Sequence, residues 1–452
     1  MRPSLIVSAL AAIASAVPRS SQAQVKAAPP ANQDSLRVIA FVGVAVVPMD
    51  VPGVRTGQTV LVRRGRIIAM GRDRAVRVPG DALRIDGHGK YLVPGLVDAH
   101  VHLFDESSIP DFALYLANGV TTVRNMQGAP LHLRLRDELA RGVLLGPTLY
   151  TTSAFADVDA IHSPDEARQF VQKARAQGYD AVKVHRPLPP PLFEAVTAEA
   201  RRVGIPVVGH APGADVTLIG AAKAGQRTVE HAESIMQEGT DQRNPDAADI
   251  APLVRQLAGT GVCVTPTLVV FHHVIRMTEQ HPTLTGLLAR PEMRYVDPAL
   301  RAYWQPDSNE YVTRWRGHES EVPTALAKFR RQYTWMQRLT KALADGGVPI
   351  VAGSDASAGM VIPGFSLPEE IRLLHEAGLS PFQSLAAATR DAASCLGGGS
   401  EFGTVTVGKR ADLVLLASNP LENLAALSSP VGVMARGRWQ SARQLAQQLR
   451  PR

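Results

Sequence analysis

Cysteine is nearly absent: the 452 residues contain two, Cys263 and Cys395. That excludes a multi-bridge disulfide framework and a cysteine-rich metal site. The pair reads as buried thiols, with a single bridge open to them in an oxidising compartment. Long apolar runs are equally scarce. Past the first apolar stretch, which ends at Val17, no segment reaches the uncharged length of about 18 residues that spans a bilayer. Clusters of one charge sign are missing too. The formal net charge of +7 is spread along the chain, and no helix-turn-helix, zinc-finger or RNA-binding signature accompanies it. The basic balance therefore bears on solubility and excludes a nucleic-acid-binding reading.

What is present begins with "MRPSLIVSALAAIASAVPRSSQAQ", an early Arg2, an apolar run and then Ser21-Gln22-Ala23. This fits a secretory signal peptide over residues 1–23, cut after Ala23, and predicts a soluble secreted or periplasmic protein; an uncleaved anchor is the alternative. Residues 24–36, rich in Ala, Pro and Gln, read as a tether. Short β-type runs punctuated by Gly, Pro and Asp fill residues 37–93 and return at 403–445, which predicts a β-sandwich built from both ends of the chain.

Between them, over residues 94–402, short apolar runs alternate with helix-like segments, from Leu96–His102 to Pro349–Asp355. Eight such units predict an α/β fold, a (β/α)8 TIM barrel. Residues 269–338 form a long insertion after the seventh run, rich in Trp and Tyr, and read as a lid or substrate wall over the active face.

The run "LVPGLVDAHVHLFDE" places Asp98, His100 and His102 at alternate positions, so one strand face is apolar and the other polar. His100 and His102 end the first run. Lys183 lies near the end of the fourth ("AVKVH"), His210 ends the fifth ("VVGHA"), His231 the sixth ("TVEHA") and Asp355 the eighth ("VAGSDAS"). All fall at the C-terminal edge, where barrel enzymes carry their chemistry. Taken singly, each reads as a hydrogen-bonded core or surface group. Six donors converging on one mouth would leave buried polar atoms unsatisfied unless a cation collected them.

With "IDGHGKYLVPGLVDAHVHL", "GVTTVRNM", "AVKVH", "GHAP", "VEHAES", "GSDA" and "GTVTVGKRADLVLL" in this order, the chain resembles the amidohydrolase superfamily, and within it the imidazolonepropionase-like and prolidase-like metal-dependent hydrolases. The resemblance implies two divalent ions, zinc first among the candidates. His100, His102 and Asp355 would hold one, His210 and His231 the other, and an N6-carboxylated Lys183 both. It also implies a metal-bridged hydroxide as nucleophile and Asp355 as the proton carrier.

Around these, His185 shares the parity of Lys183 and is a candidate substrate contact or a structural hydrogen bonder. Asp98 is expected lower in the barrel, orienting a ligand. His272 and His273 read as surface groups, with recognition of a substrate carboxylate as the functional option. Asn125 replaces the Asp of the family's "VRDM" pattern.

The expectation is a hydrolase of an amide bond in a small-molecule substrate: a dipeptide, Xaa-Pro or N-acyl amino acid, or an amide-linked toxin. No stable membrane association is expected after leader removal, and a homo-oligomer is left open. A mononuclear cyclic-amide hydrolase or deaminase is the alternative. A non-catalytic exported metal- or solute-binding barrel is the remaining one.

Overall fold

A computed structural model describes residues 37–239, 247–279 and 283–452. The leader and tether expected over 1–36 lie outside the described residues. The chain opens with β1 (Ile39–Val46), β2 (Arg55–Arg63), β3 (Arg66–Arg72), β4 (Leu83–Asp86) and β5 (Tyr91–Pro94). The β2–β3 hairpin turns on Arg64 and Gly65, whose φ values of 51° and 75° suit the strand twist.

Seven parallel strands follow in sequential order: β6 (Leu96–Val101), β7 (Val120–Asn125), β8 (Thr148–Ala156), β9 (Ala181–Val184), β10 (Val207–Gly209), β11 (Gln226–Glu230) and β12 (Cys263–Thr265). Helices between them are delimited by ordinary cap chemistry. Ser163 accepts from Glu166 N at the start of Pro164–Gln177, and Gly178 stops that helix at φ 85°. The chain then returns to the first sheet as β13 (Leu413–Leu416), β14 (Gly432–Ala435) and β15 (Arg438–Ser441), with β13 pairing antiparallel to β5. The architecture is a TIM barrel with a small β-sandwich built from both ends of the described chain.

The eighth run, Pro349–Asp355, departs from expectation because it is not a regular strand. It nevertheless closes the barrel. Val264 N donates to Pro349 O and Val351 N to Val264 O on one side; Ala99 N donates to Ala352 O and Asp355 N to His100 O on the other. Gly353 permits this approach, since a Cβ there would lie 2.6 Å from Thr265 Cγ2 and 2.8 Å from His100 Cβ.

The described part of the insertion is helical, from Leu268–Glu279 to Val322–Asp345. Its aromatic residues serve mainly as core. Trp304 and Tyr311 are buried with Val274, Met277 and Met293, and this cluster also includes Met360 and Ile362 from the segment after Asp355. Trp335 joins the barrel core instead. Among the described residues no helix is long and apolar enough to cross a membrane.

Cys263 and Cys395 are bridged, so the thiol reading is corrected. The bond ties the first residue of β12 to the last of the helix Arg390–Cys395, across 132 residues of sequence. Closing so long a loop restricts the unfolded chain. Replacing both cysteines by Ala is expected to cost about 2–4 kcal/mol of unfolding free energy. Chemical denaturation reads this directly, and an unchanged midpoint would contradict a stabilising bridge.

Candidate active site

The strand ends bring the predicted residues together. His100 is the penultimate residue of β6 and His102 directly follows the strand, and both are buried. Lys183 sits within β9, fully buried. His210 and His231 directly follow β10 and β11. Gly209 makes the His210 position accessible to the chain: at φ 131° its absent Cβ would otherwise lie 1.9 Å from the carbonyl oxygen of Val184. The imidazole centroids of His100 and His231 are 4.7 Å apart, and those of His210 and His231 are 4.8 Å apart.

Asp355 completes the group from the closing segment. Its Oδ1 lies 3.1 Å from His102 Nε2 and 3.4 Å from His100 Nε2, although neither pair is aligned as a hydrogen bond. Asp355 and His231 both hold left-handed backbone, at φ 58° and 67°. Such strain in non-glycine residues persists only where the surroundings enforce it. Asp98 contributes to that enforcement. It does not reach an imidazole ring; its carboxylate accepts from Ser354 N at 2.8 Å and Ser354 Oγ at 2.6 Å, fixing the residue before Asp355. Burial raises the Asp98 carboxyl to about 7, with the Ser354 hydrogen bonds working against that rise.

Two buried residues emerge that sequence reasoning passed over. Glu230 Oε2 accepts from His100 Nδ1 at 2.9 Å, while Oε1 accepts from Arg124 Nη2 at 2.8 Å and from the Thr228 hydroxyl. Arg124 is fixed in turn by its Nε bond to Ala99 O. With Nδ1 donating to Glu230, the free lone pair of His100 is on Nε2, facing Asp355. His231 is set in the same sense. Thr267 Oγ1 donates to Pro266 O and accepts from His231 Nδ1 at 2.8 Å, which leaves Nε2 free.

The electrostatics follow from burial. Desolvation lowers Lys183 to about 8, His100 to about 3 and His231 to about 4. For Glu230 and Asp355 burial acts upward, but the Arg124 guanidinium beside the former and the imidazoles around the latter, His100 first, outweigh it and hold both ionised. The mouth thus presents neutral imidazoles and fixed carboxylates.

Many of its donor atoms lack partners. His100 Nε2, both His102 nitrogens, Lys183 Nζ, His210 Nε2 and Asp355 Oδ1 are buried without a hydrogen bond. This nitrogen–oxygen set, with ring tautomers fixed from behind, fits a divalent metal. His185 is also buried with neither nitrogen hydrogen-bonded, Nδ1 standing 4.0 Å from Asp157 Oδ2 and the ring stacked on Phe155 at a centroid distance of 4.0 Å.

The other expectations resolve differently. Asn125 serves structure, accepting from Leu103 N at 3.0 Å and donating to Gln127 O at 2.8 Å. His273 is wholly buried, which corrects its surface assignment, and His272 is partly exposed. The carboxylate they meet is the chain's own Glu369, at 3.4 Å from His273 Nε2 and 3.7 Å from His272 Nδ1.

A parallel barrel with such a cluster at its C-terminal mouth defines a barrel enzyme of the metal-assisted class. The amidohydrolase family model matches residues 91–440, and the chain belongs to that family, whose members hydrolyse carbon–nitrogen bonds with divalent metals. An imidazolonepropionase of Symbiobacterium thermophilum is 24% identical over 396 residues, covering 80% of this chain and 84% of that protein. Among solved structures, a bottromycin amidohydrolase is 25% identical with TM-score 0.70, covering 92% of this chain and 89% of its own. A Xaa-Pro dipeptidase with bound methionine in the active site shares the fold at 18% identity and TM-score 0.66, over 89% of this chain and all of its own.

The Arg124–Glu230 pair is testable by itself. Arg124→Met leaves a buried carboxylate without its guanidinium, and the expected loss is about 3–5 kcal/mol of stability in chemical denaturation. A change below about 1 kcal/mol would show that the pair contributes nothing beyond a surface ion pair.

Proposed function

We propose that this protein is an exported binuclear metal-dependent amidohydrolase that cleaves an amide bond in a small molecule of the dipeptide, Xaa-Pro or N-acyl amino acid type. The observation that carries the reading is the cluster of buried, unpartnered donors at the barrel mouth, with Asp355 Oδ1 within 3.4 Å of two imidazole nitrogens. His100, His102 and Asp355 would hold one ion, His210 and His231 the other, and Lys183 both once carboxylated. The lowered Lys183 pKa supports that last step: the free amine adds to CO2, giving a carbamate and releasing a proton. Zinc suits the donor set, as do manganese, cobalt and nickel.

Divalent ions at this position lower the pKa of water and polarise an amide carbonyl. The chain's residues do the remainder. Asp355 takes the proton of the attacking water and delivers it to the departing nitrogen as the C–N bond breaks. Glu230 and Thr267 keep His100 and His231 in the tautomers that present Nε2 to the site. His185, buried with no hydrogen bond at either nitrogen, would meet a substrate carboxylate. The substrate classes in the names of the Xaa-Pro dipeptidase and the bottromycin amidohydrolase are consistent with this reading. Export is supported by the leader-like first 23 residues and by the Cys263–Cys395 bridge, which an oxidising compartment preserves.

The imidazolonepropionase match favours a second reading, a mononuclear cyclic-amide hydrolase or deaminase that uses His100, His102, His231 and Asp355 with Lys183 unmodified. Metal content per chain and a cyclic-amide assay separate the two.

Amine release from a library of dipeptides, including Xaa-Pro, and N-acyl amino acids tests the main reading. Turnover is expected with metal-loaded protein, to be lost on chelation and to fall about 10²–10⁴-fold in Asp355→Asn. No turnover with metal bound would exclude linear amides. In His185→Ala, KM is expected to rise about tenfold with kcat retained, as loss of roughly 1.4 kcal/mol of uniform binding predicts. An unchanged KM would remove His185 from substrate recognition.

A further inference from the structure

A second group of donors lies outside the barrel mouth. His272 and His273 stand on the helix Leu268–Glu279 and Glu369 on the helix Ser366–Glu376; one ligand atom from each lies within 4.8 Å of the others. His273 Nδ1 is 3.1 Å from the carbonyl oxygen of Gly359, so it is the donor there, and a neutral ring then presents only a lone pair at Nε2. That lone pair faces a carboxylate. The 3.4 Å separation is long for a charge-assisted hydrogen bond, which settles at about 2.7–2.9 Å. His272 Nδ1 is buried without a hydrogen-bond partner, 3.7 Å from the same carboxylate.

Tetrahedral zinc with ligands at about 2.0–2.2 Å holds neighbouring donors about 3.3–3.6 Å apart. The His273–Glu369 separation is that of donors sharing an ion, and the His272–Glu369 separation exceeds this range by about 0.1 Å. At the barrel mouth, Asp355 stands 3.1 and 3.4 Å from its two imidazoles. The charged neighbours of Glu369 leave room for this. Arg290 Nη1 and Arg372 Nη2 are 3.6 and 3.8 Å from its oxygens, beyond hydrogen-bond reach, although their charge weakens affinity for a dication.

We propose that His272, His273 and Glu369 form a separate site for one divalent transition-metal ion of the zinc type, joining the first helix of the insertion to the helix Ser366–Glu376 that follows the closing segment of the barrel. The Gly359 bond fixes His273 from behind, as Glu230 fixes His100. Gly359 lies four residues past Asp355, and its neighbour Met360 packs in the insertion's core. An ion here would therefore brace the insertion against the closing segment of the barrel.

The test is zinc content by elemental analysis after equilibration with zinc and removal of excess, comparing the full chain with Glu369→Gln and His272→Ala. Each variant, with its fold verified by circular dichroism, is expected to hold one equivalent less than the parent. Because the barrel-mouth residues are untouched, this difference does not depend on how many ions the mouth holds. His272 is partly exposed, so its variant carries the comparison if Glu369→Gln does not fold. Equal zinc content in the parent and a folded variant would overturn the proposal.

Discussion

Burying polar groups without partners is costly, and at the mouth of this barrel the cost is concentrated in one place. Lys183 Nζ, His100 Nε2, His102 and Asp355 Oδ1 are removed from water without hydrogen bonds to replace it. An isolated buried polar group costs about 1–3 kcal/mol by mutational measure, so the group as a whole is a large burden for a marginally stable fold. Divalent ions would collect these donors, which plain hydrogen bonding among them does not. The surrounding structure reads as a frame for that function. Asp98 fixes Ser354, Glu230 fixes His100 and is itself held by Arg124, and Thr267 fixes His231.

The frame also accounts for the irregular eighth strand. A regular strand from 349 to 355 would keep strict alternation of side chains. Here the backbone turns left-handed at Asp355, which aims its carboxylate at the imidazoles of His100 and His102 while its N–H still bonds His100 O. Gly353 supplies the close approach that this closure needs. The insertion packs directly on the segment after Asp355, through Met360 and Ile362, so the position of Asp355 is coupled to a helical layer outside the barrel.

Much of this was legible in the sequence, because period-two alternation and strand-end position are strong local signals. His100, His102, Lys183, His210, His231 and Asp355 could be gathered from those alone. Glu230 could not. Immediately before His231 in a continuous strand it would face the opposite side, and only the left-handed turn at His231 lets both neighbours address the mouth. A signal existed in Thr228 and Glu230, polar positions on either side of Val229. Thr122 and Arg124 stand in the same way on either side of Val123. The burial of His273 was foreshadowed by its setting in "LVVFHHVI", which is apolar on both sides. Whether the two cysteines pair was beyond reach, since 132 residues separate them and only the closed fold brings their Cα atoms to 6.3 Å.

The central claim is that metal ions complete the donor set at the barrel mouth. Crystals of the protein, with diffraction recorded on either side of the absorption edge of the metal found in it, test this most directly. The account predicts two anomalous peaks, one among His100, His102 and Asp355 and the other between His210 and His231, with density extending from Lys183 Nζ towards both. A mouth that shows only ordered water against these donors, in protein that turns over an amide, would contradict it.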